Sequence, residues 1–213
     1  MKNAKLGIRL PFYFGFFIMT IGIALSVKSN LGVSPVSSIP YTMTCVWGIE
    51  MGRATIIFHA ILVAIQIALL RRKFEIKNLL QILVGVVFGS FTTLCNSLVA
   101  LAPTPENLII RLLMCWAGTV FVAFGIFFYV PANIMPLAGE GTMLAISSLT
   151  GKPFPKVKIA FDISMVCVSL VTCLFFLHGL GSVGIGTVIA ALLVGIELNM
   201  VTHRFGAWRD SLL

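Results

Sequence analysis

Charge is what this sequence has least of. Only 7 acidic and 15 basic residues occur among 213, and charged residues make up 10% of the chain, against about 25% in a soluble domain. No stretch outside the apolar runs is long enough for a water-soluble core, which excludes a soluble enzyme or binding module. Catalytic signatures are missing too: there is no His-Glu-x-x-His, no Gly-x-Ser-x-Gly and no Walker loop, so an enzyme is not expected. Cys45, Cys95, Cys115, Cys167 and Cys173 all lie inside apolar stretches without metal-ligand spacing. They read as small packing residues, and neither a disulfide framework nor a metal or other cofactor is expected. The formal charge of +8 comes without a basic stripe interleaved with aromatics, so it implies no nucleic-acid partner.

What is there is hydrophobic sequence, 59% of the chain, arranged in runs of about 20 residues, the length that crosses a bilayer. Six spans are expected, at about 10–27, 54–70, 78–101, 108–130, 157–177 and 183–201. The first run follows Lys2, Lys5 and Arg9, as in a signal peptide. No clear Ala-x-Ala cleavage site follows it, so it reads as a transmembrane helix. With six spans, Lys2, Lys5, Arg9, Arg71, Arg72, Lys73, Lys77, Lys152, Lys156, Lys158, Arg204 and Arg209 fall on one side of the membrane, and only Lys28, Arg53 and Arg111 on the other. The positive-inside rule then puts both termini in the cytoplasm. An eight-span reading would move Arg71–Lys77 outside and weaken that bias.

Two segments between spans are apolar but too short to cross. One, Ser34 to Trp47, follows Lys28, Ser29 and Asn30. The other, Pro136 to Gly151, carries Glu140 between Gly139 and Gly141. Glycine frees the backbone and Thr142 could cap a helix there. Irregular backbone at membrane depth survives only where protein buries it or it lines a cavity, so each segment reads as a broken or re-entrant helix beside a binding site. The segments stand about 103 positions apart. The same offset carries Gly15 to Gly118, Gly22 to Gly125, Asn30 to Asn133, Gly48 to Gly151, Phe58 to Phe161 and His59 to Asp162. The expected fold is therefore a single all-α transmembrane domain of two three-helix repeats, about 10–102 and 108–202, each with its short helix. Three spans per repeat make the repeats inverted.

Polar residues within spans are functional candidates. Glu140, His59 and Asp162 form the ionisable set, suited to proton coupling or ligand contact. Ser34, Ser37, Ser38, Tyr41, Asn133 and Thr142 are the candidate lining, beside half-helix starts that favour anionic groups. Each has a plainer reading. Asp162 follows Lys158 by four residues, as in an interfacial ion pair. His59 could be a packed histidine, Glu140 could sit in a solvated loop, and the hydroxyls could serve their own backbone. Glu197, two turns before Arg204, reads as near-interface. Gln66 and Asn96 read as interhelical hydrogen bonds, and Gly85 and Gly89 as a close helix contact.

Leu31-Gly32-Val33-Ser34-Pro35 after the first span and Gly184-Ile185-Gly186-Thr187 opening the last resemble the YczE/YitT-type group of bacterial integral membrane proteins. That resemblance implies a multi-pass protein of the bacterial cytoplasmic membrane and no particular substrate. The expectation is a small secondary transporter for a small polar or anionic organic solute, working as a monomer or a homodimer. A ligand-free membrane scaffold and a vitamin-binding subunit of an ATP-driven importer are the alternatives.

Overall fold

The computed structural model describes residues 2–132 and 134–210. These form eight helices: α1 (Lys2–Ser29), α2 (Pro35–Trp47), α3 (Met51–Leu70), α4 (Leu80–Ala100), α5 (Leu108–Tyr129), α6 (Ala138–Thr150), α7 (Phe154–Leu177) and α8 (Ile185–Asp210). There is no strand among the described residues. Six helices, all but α2 and α6, are long and apolar enough to cross a membrane. The two short ones have 13 residues each, about 20 Å of helix, against about 30 Å of hydrocarbon.

Local chemistry sets the boundaries. Glu50 caps α3 by accepting from the Gly52 and Arg53 N–H groups at 2.8 and 3.0 Å, so α3 begins three residues before the expected Ala54. Pro155 in the first turn starts α7 at Phe154, also three residues early. Gly48 and Gly151 end α2 and α6 with φ of +66° and +67°, a conformation glycine adopts without strain. The 103-residue offset reappears in these boundaries. Pro35 and Ala138 start the short helices, Trp47 and Thr150 end them, and Met51 and Phe154 start the helices that follow.

One boundary differs from the sequence expectation. The last helix was expected to stop near Val201, and it runs to Asp210. The Arg209 guanidinium donates to the Phe127 carbonyl at 3.3 Å and lies 4.6 Å from that ring's centroid, while Trp208 packs edge-on to Phe128. Charge at Arg204 therefore marks no helix end. Glu197 lies at the middle of α8 as a result, its Oε1 accepting from the Thr119 hydroxyl at 3.1 Å. It is not a near-interface residue.

The chain divides into two compact units, each drawing on both halves of the sequence: residues 1–34, 94–134 and 184–213 in unit one, 35–93 and 135–183 in unit two. In unit one, α1 and α5 touch backbone to backbone. A Cβ at Gly15 would lie 2.7 Å from the Gly125 carbonyl, and one at Gly22 2.5 Å from the Gly118 carbonyl. Position rises on one helix as it falls on the other, so the two are antiparallel. Arg111 ties the far end by donating to the Ser29 and Asn30 carbonyls at 2.7 and 2.6 Å, and Lys28 donates to the Ala102 carbonyl at 2.6 Å. Gly186 N–H donates to the Leu31 carbonyl there at 2.7 Å. At the opposite end Phe12 and Phe16 meet Tyr129. Along α8, Gly186 lies beside Cys115, Glu197 beside Thr119 and Arg209 beside Phe127, so α5 and α8 are parallel. The start of α1 and the end of α8 consequently share one end of this unit.

Unit two has an apolar core of Phe58, Leu62, Val63, Ala138, Met143, Val157 and Phe161. The start of α4 returns along α3 through a close seam in which Gly89 faces Gly52 and Gly85 faces His59. Here Gly85 and Gly89 serve the helix contact that their spacing implies.

Candidate functional site

The candidate site lies in unit two, where the two short helices begin. The Ser38 hydroxyl donates to the Pro35 carbonyl at 2.6 Å and more weakly to the Met165 carbonyl at 3.4 Å, and it accepts from Ser169 at 2.8 Å. Further along α2, Thr42 bonds Ser182 at 2.6 Å and approaches the Cys173 sulfur at 3.7 Å, and Trp47 packs on Phe176. The helix thus runs parallel to α7, from that span's midpoint at Met165 to its end. The first turn of α2 lies level with the middle of a membrane-crossing helix.

Helix α6 has a matching arrangement against α3. The Thr142 hydroxyl donates to the Ala138 carbonyl at 2.8 Å and weakly to the Leu62 carbonyl at 3.5 Å. Gln66 Nε2 donates to Gln81 Oε1 at 2.9 Å, to the Ala138 carbonyl at 3.1 Å and to Thr142 at 3.3 Å. Leu62 stands 103 positions before Met165, Gln66 the same distance before Ser169, and Ser38 one position out of that register with Thr142. The first turns also meet. A Cβ at Gly139 would lie 3.5 Å from Val36 Cγ1, and Val36 and Gly139 are themselves 103 apart. No side-chain hydrogen bond caps the start of α6.

The expected site residues divide by environment. Ser38 and Thr142 are 0% and 1% exposed, and their hydroxyls are engaged by backbone and by each helix's neighbour, as the plainer reading allowed. Ser37 and Glu140 are half-buried, one in the first turn of α2 and the other in that of α6, at offset-equivalent positions. A carboxylate in a helix's first turn is favoured by the helix dipole. Tyr41 is half-buried one turn beyond Ser37 on the same helix. Ser34 belongs to unit one, immediately before α2, and Asn133 lies outside the described residues. His59 is 4% exposed and stacks on Phe88 with ring centroids 5.8 Å apart; its Nδ1 has no partner. Asp162 pairs with Lys158 at 2.6 Å, and its second oxygen has no partner. Among the described residues no ion pair joins His59 to Asp162.

Gln81, Ser169 and Ser182 were not singled out from sequence. Gln81 stands near the start of an apolar run, and it is 2% exposed. A signal existed: Gln66 is a carboxamide within a span and needs a partner, and a short hairpin from α3 to α4 places Gln81 opposite it. No group of three or more metal-ligating side chains occurs among the described residues.

A family described only as a family of unknown function, DUF6198, matches residues 9–203. The chain is 28% identical over 199 residues to the uncharacterised membrane protein YczE of Bacillus subtilis (strain 168), covering 92% of this chain and 86% of that one. It is 25% identical over 187 residues to the uncharacterised protein YyaS of the same strain, covering 87% of this chain and 88% of the relative. No solved structure matches it.

Proposed function

The chain belongs to this DUF6198 family of unknown function, and from that premise we propose that it is a small secondary transporter built from two inverted three-span repeats. The observation that carries this reading is the meeting of two half-helix starts, Val36 on α2 and Gly139 on α6, level with the middles of α7 and α3. Half-helices ending at mid-depth at corresponding positions are how many secondary transporters present backbone N–H groups to a solute. The inverted relation is supported inside unit one as well. The contacts Gly15 to Gly125 and Gly22 to Gly118 interchange under the 103-residue offset, as contacts across a pseudo-two-fold axis must.

The substrate is a small polar or anionic organic solute. Uncapped N–H groups at α6 favour an anionic group, Tyr41 and Ser37 add hydroxyls, and Glu140 either contacts the solute or exchanges a proton with it. The protein sits in the bacterial cytoplasmic membrane with both termini inside, in keeping with the distribution of lysine and arginine. One observation favours the scaffold alternative: α6 packs tightly against Gln81, and a Cβ at Gly141 would lie only 2.6 Å from the Gln81 Oε1.

The test is thermal stability of the purified protein against a panel of small metabolites at two pH values, for wild type and Glu140→Gln. A ligand that binds the folded state raises the midpoint by mass action, about 2.7 kcal/mol at one hundred times Kd. A shift that Glu140→Gln abolishes supports the site and names the solute class. No shift with any compound transfers support to the scaffold.

A further inference from the structure

Asn199 on α8 lies at bilayer depth and faces outward. Its neighbour Glu197 bonds Thr119, the midpoint of α5, and two residues of helix add only about 3 Å along the axis. Asn199 is exposed, and no hydrogen bond within the described residues reaches its amide. Ile196, Met200, His203 and Arg204 surround it on the outward face of α8. Hydrocarbon offers a carboxamide neither donor nor acceptor, so polar side chains at this depth normally face other protein.

We propose that this face of α8 is the two-fold interface of a homodimer within the bilayer, with the Asn199 amide of each copy bonded to that of the other. A carboxamide carries both donor and acceptor, so it complements itself across a two-fold axis, and two copies of the same topology place that axis along the membrane normal. The backbone permits the approach. Ala191 and Gly195 precede Asn199 by eight and four residues on the exposed face, and nothing lies within 4 Å of a Cβ at Gly195. Small residues at this spacing let helices come together without lipid between them. Ile196 and Met200 flank the contact with apolar surface, 58% and 65% exposed. His203 and Arg204 follow about 6 and 8 Å further along the axis, and their side chains extend towards the headgroups.

The experiment counts subunits by single-molecule photobleaching of the full chain in phosphatidylglycerol/phosphatidylethanolamine vesicles over a dilution series, for wild type, Asn199→Leu and Gly195→Leu. Wild type is expected to dimerise reversibly. Asn199→Leu is expected to raise the dissociation constant about 3- to 20-fold, the range for one interhelical hydrogen bond in a membrane, and Gly195→Leu more. Both variants should keep the wild-type melting midpoint under dissociating conditions. Monomers at every density, as lipid covering this face would give, overturn the proposal. So does a dimer indifferent to both substitutions, which would place the interface elsewhere.

Discussion

At Gly22 a single hydrogen atom decides how close two spans come. A Cβ there would lie 2.5 Å from the Gly118 carbonyl and 2.8 Å from the Val122 nitrogen, and both are backbone atoms that cannot rotate away. Gly22→Val is therefore expected to force α1 from α5 and to destabilise by about 1–3 kcal/mol or more. Gly195→Ala, with open space around it, should leave the melting midpoint in detergent unchanged. The Gln66–Gln81 pair yields a second prediction. Gln66→Leu leaves Gln81 Oε1 without its donor, while the Ala138 carbonyl keeps the Thr142 hydroxyl, and one orphaned buried acceptor costs about 1–3 kcal/mol. Replacing both amides with leucine is expected to cost less than the two single changes added together, because the double variant leaves fewer orphans. Thermal melts of the four proteins form that cycle, and strict additivity would show the bond to be idle. The glycine contacts were legible in part. Gly85 and Gly89 announce themselves by spacing, whereas nothing in the sequence says that Gly15 meets Gly125. Ser38 and Thr142 were legible as hydroxyls, but their acceptors were not, because a hydroxyl in a helix always has a backbone carbonyl one turn back within reach.

The short helices are where sequence and structure agree best at the scale of the element. Glycine and proline interrupt an otherwise apolar chain on both sides of each, and a 13-residue run is too short to cross, so both α2 and α6 could be placed to within about two residues. The far end of α8 could not. Arg204 and Arg209 look like a membrane boundary, but Arg209 is held by the Phe127 carbonyl and ring, and the helix continues beneath it. Helix α3 offers a direct test of how the turn after α2 is held. Glu50 accepts from two N–H groups of the first turn and from the Thr93 hydroxyl at 2.9 Å, so it fixes both the start of α3 and the end of the seam with α4. Glu50→Ala is expected to destabilise by about 1–2 kcal/mol, the upper part of the range for an N-cap. Glu50→Asp should recover part of that. An unchanged melting midpoint for Glu50→Ala would mean that the cap is replaced by water.

For the whole molecule, six spans follow from hydropathy, but the division into two units does not, because each unit interleaves residues from both halves of the chain. What joins the two levels is direction. Within unit one the start of α1 and the end of α8 lie at the same end, α1 against Tyr129 and α8 against Phe127. An even number of crossings produces that arrangement, and in the proposed six-span topology α2 and α6 each return to the face they came from. Single cysteines at Arg72, Lys152 and Ala207 are then expected to react with a membrane-impermeant maleimide only after the cytoplasmic face is opened, and those at Thr104 and Gly179 in intact cells. Arg72 is the decisive position. If α2 and α6 both crossed, the chain would pass the membrane eight times and the Arg71–Lys77 loop would lie outside with Thr104 inside, so labelling of Arg72→Cys in intact cells would end the six-span topology and with it the inverted relation of the repeats. Labelling on the cytoplasmic side requires each 13-residue helix to enter and leave by one face. That condition lets the starts at Val36 and Gly139 meet from opposite sides of the bilayer, as the proposed transporter requires.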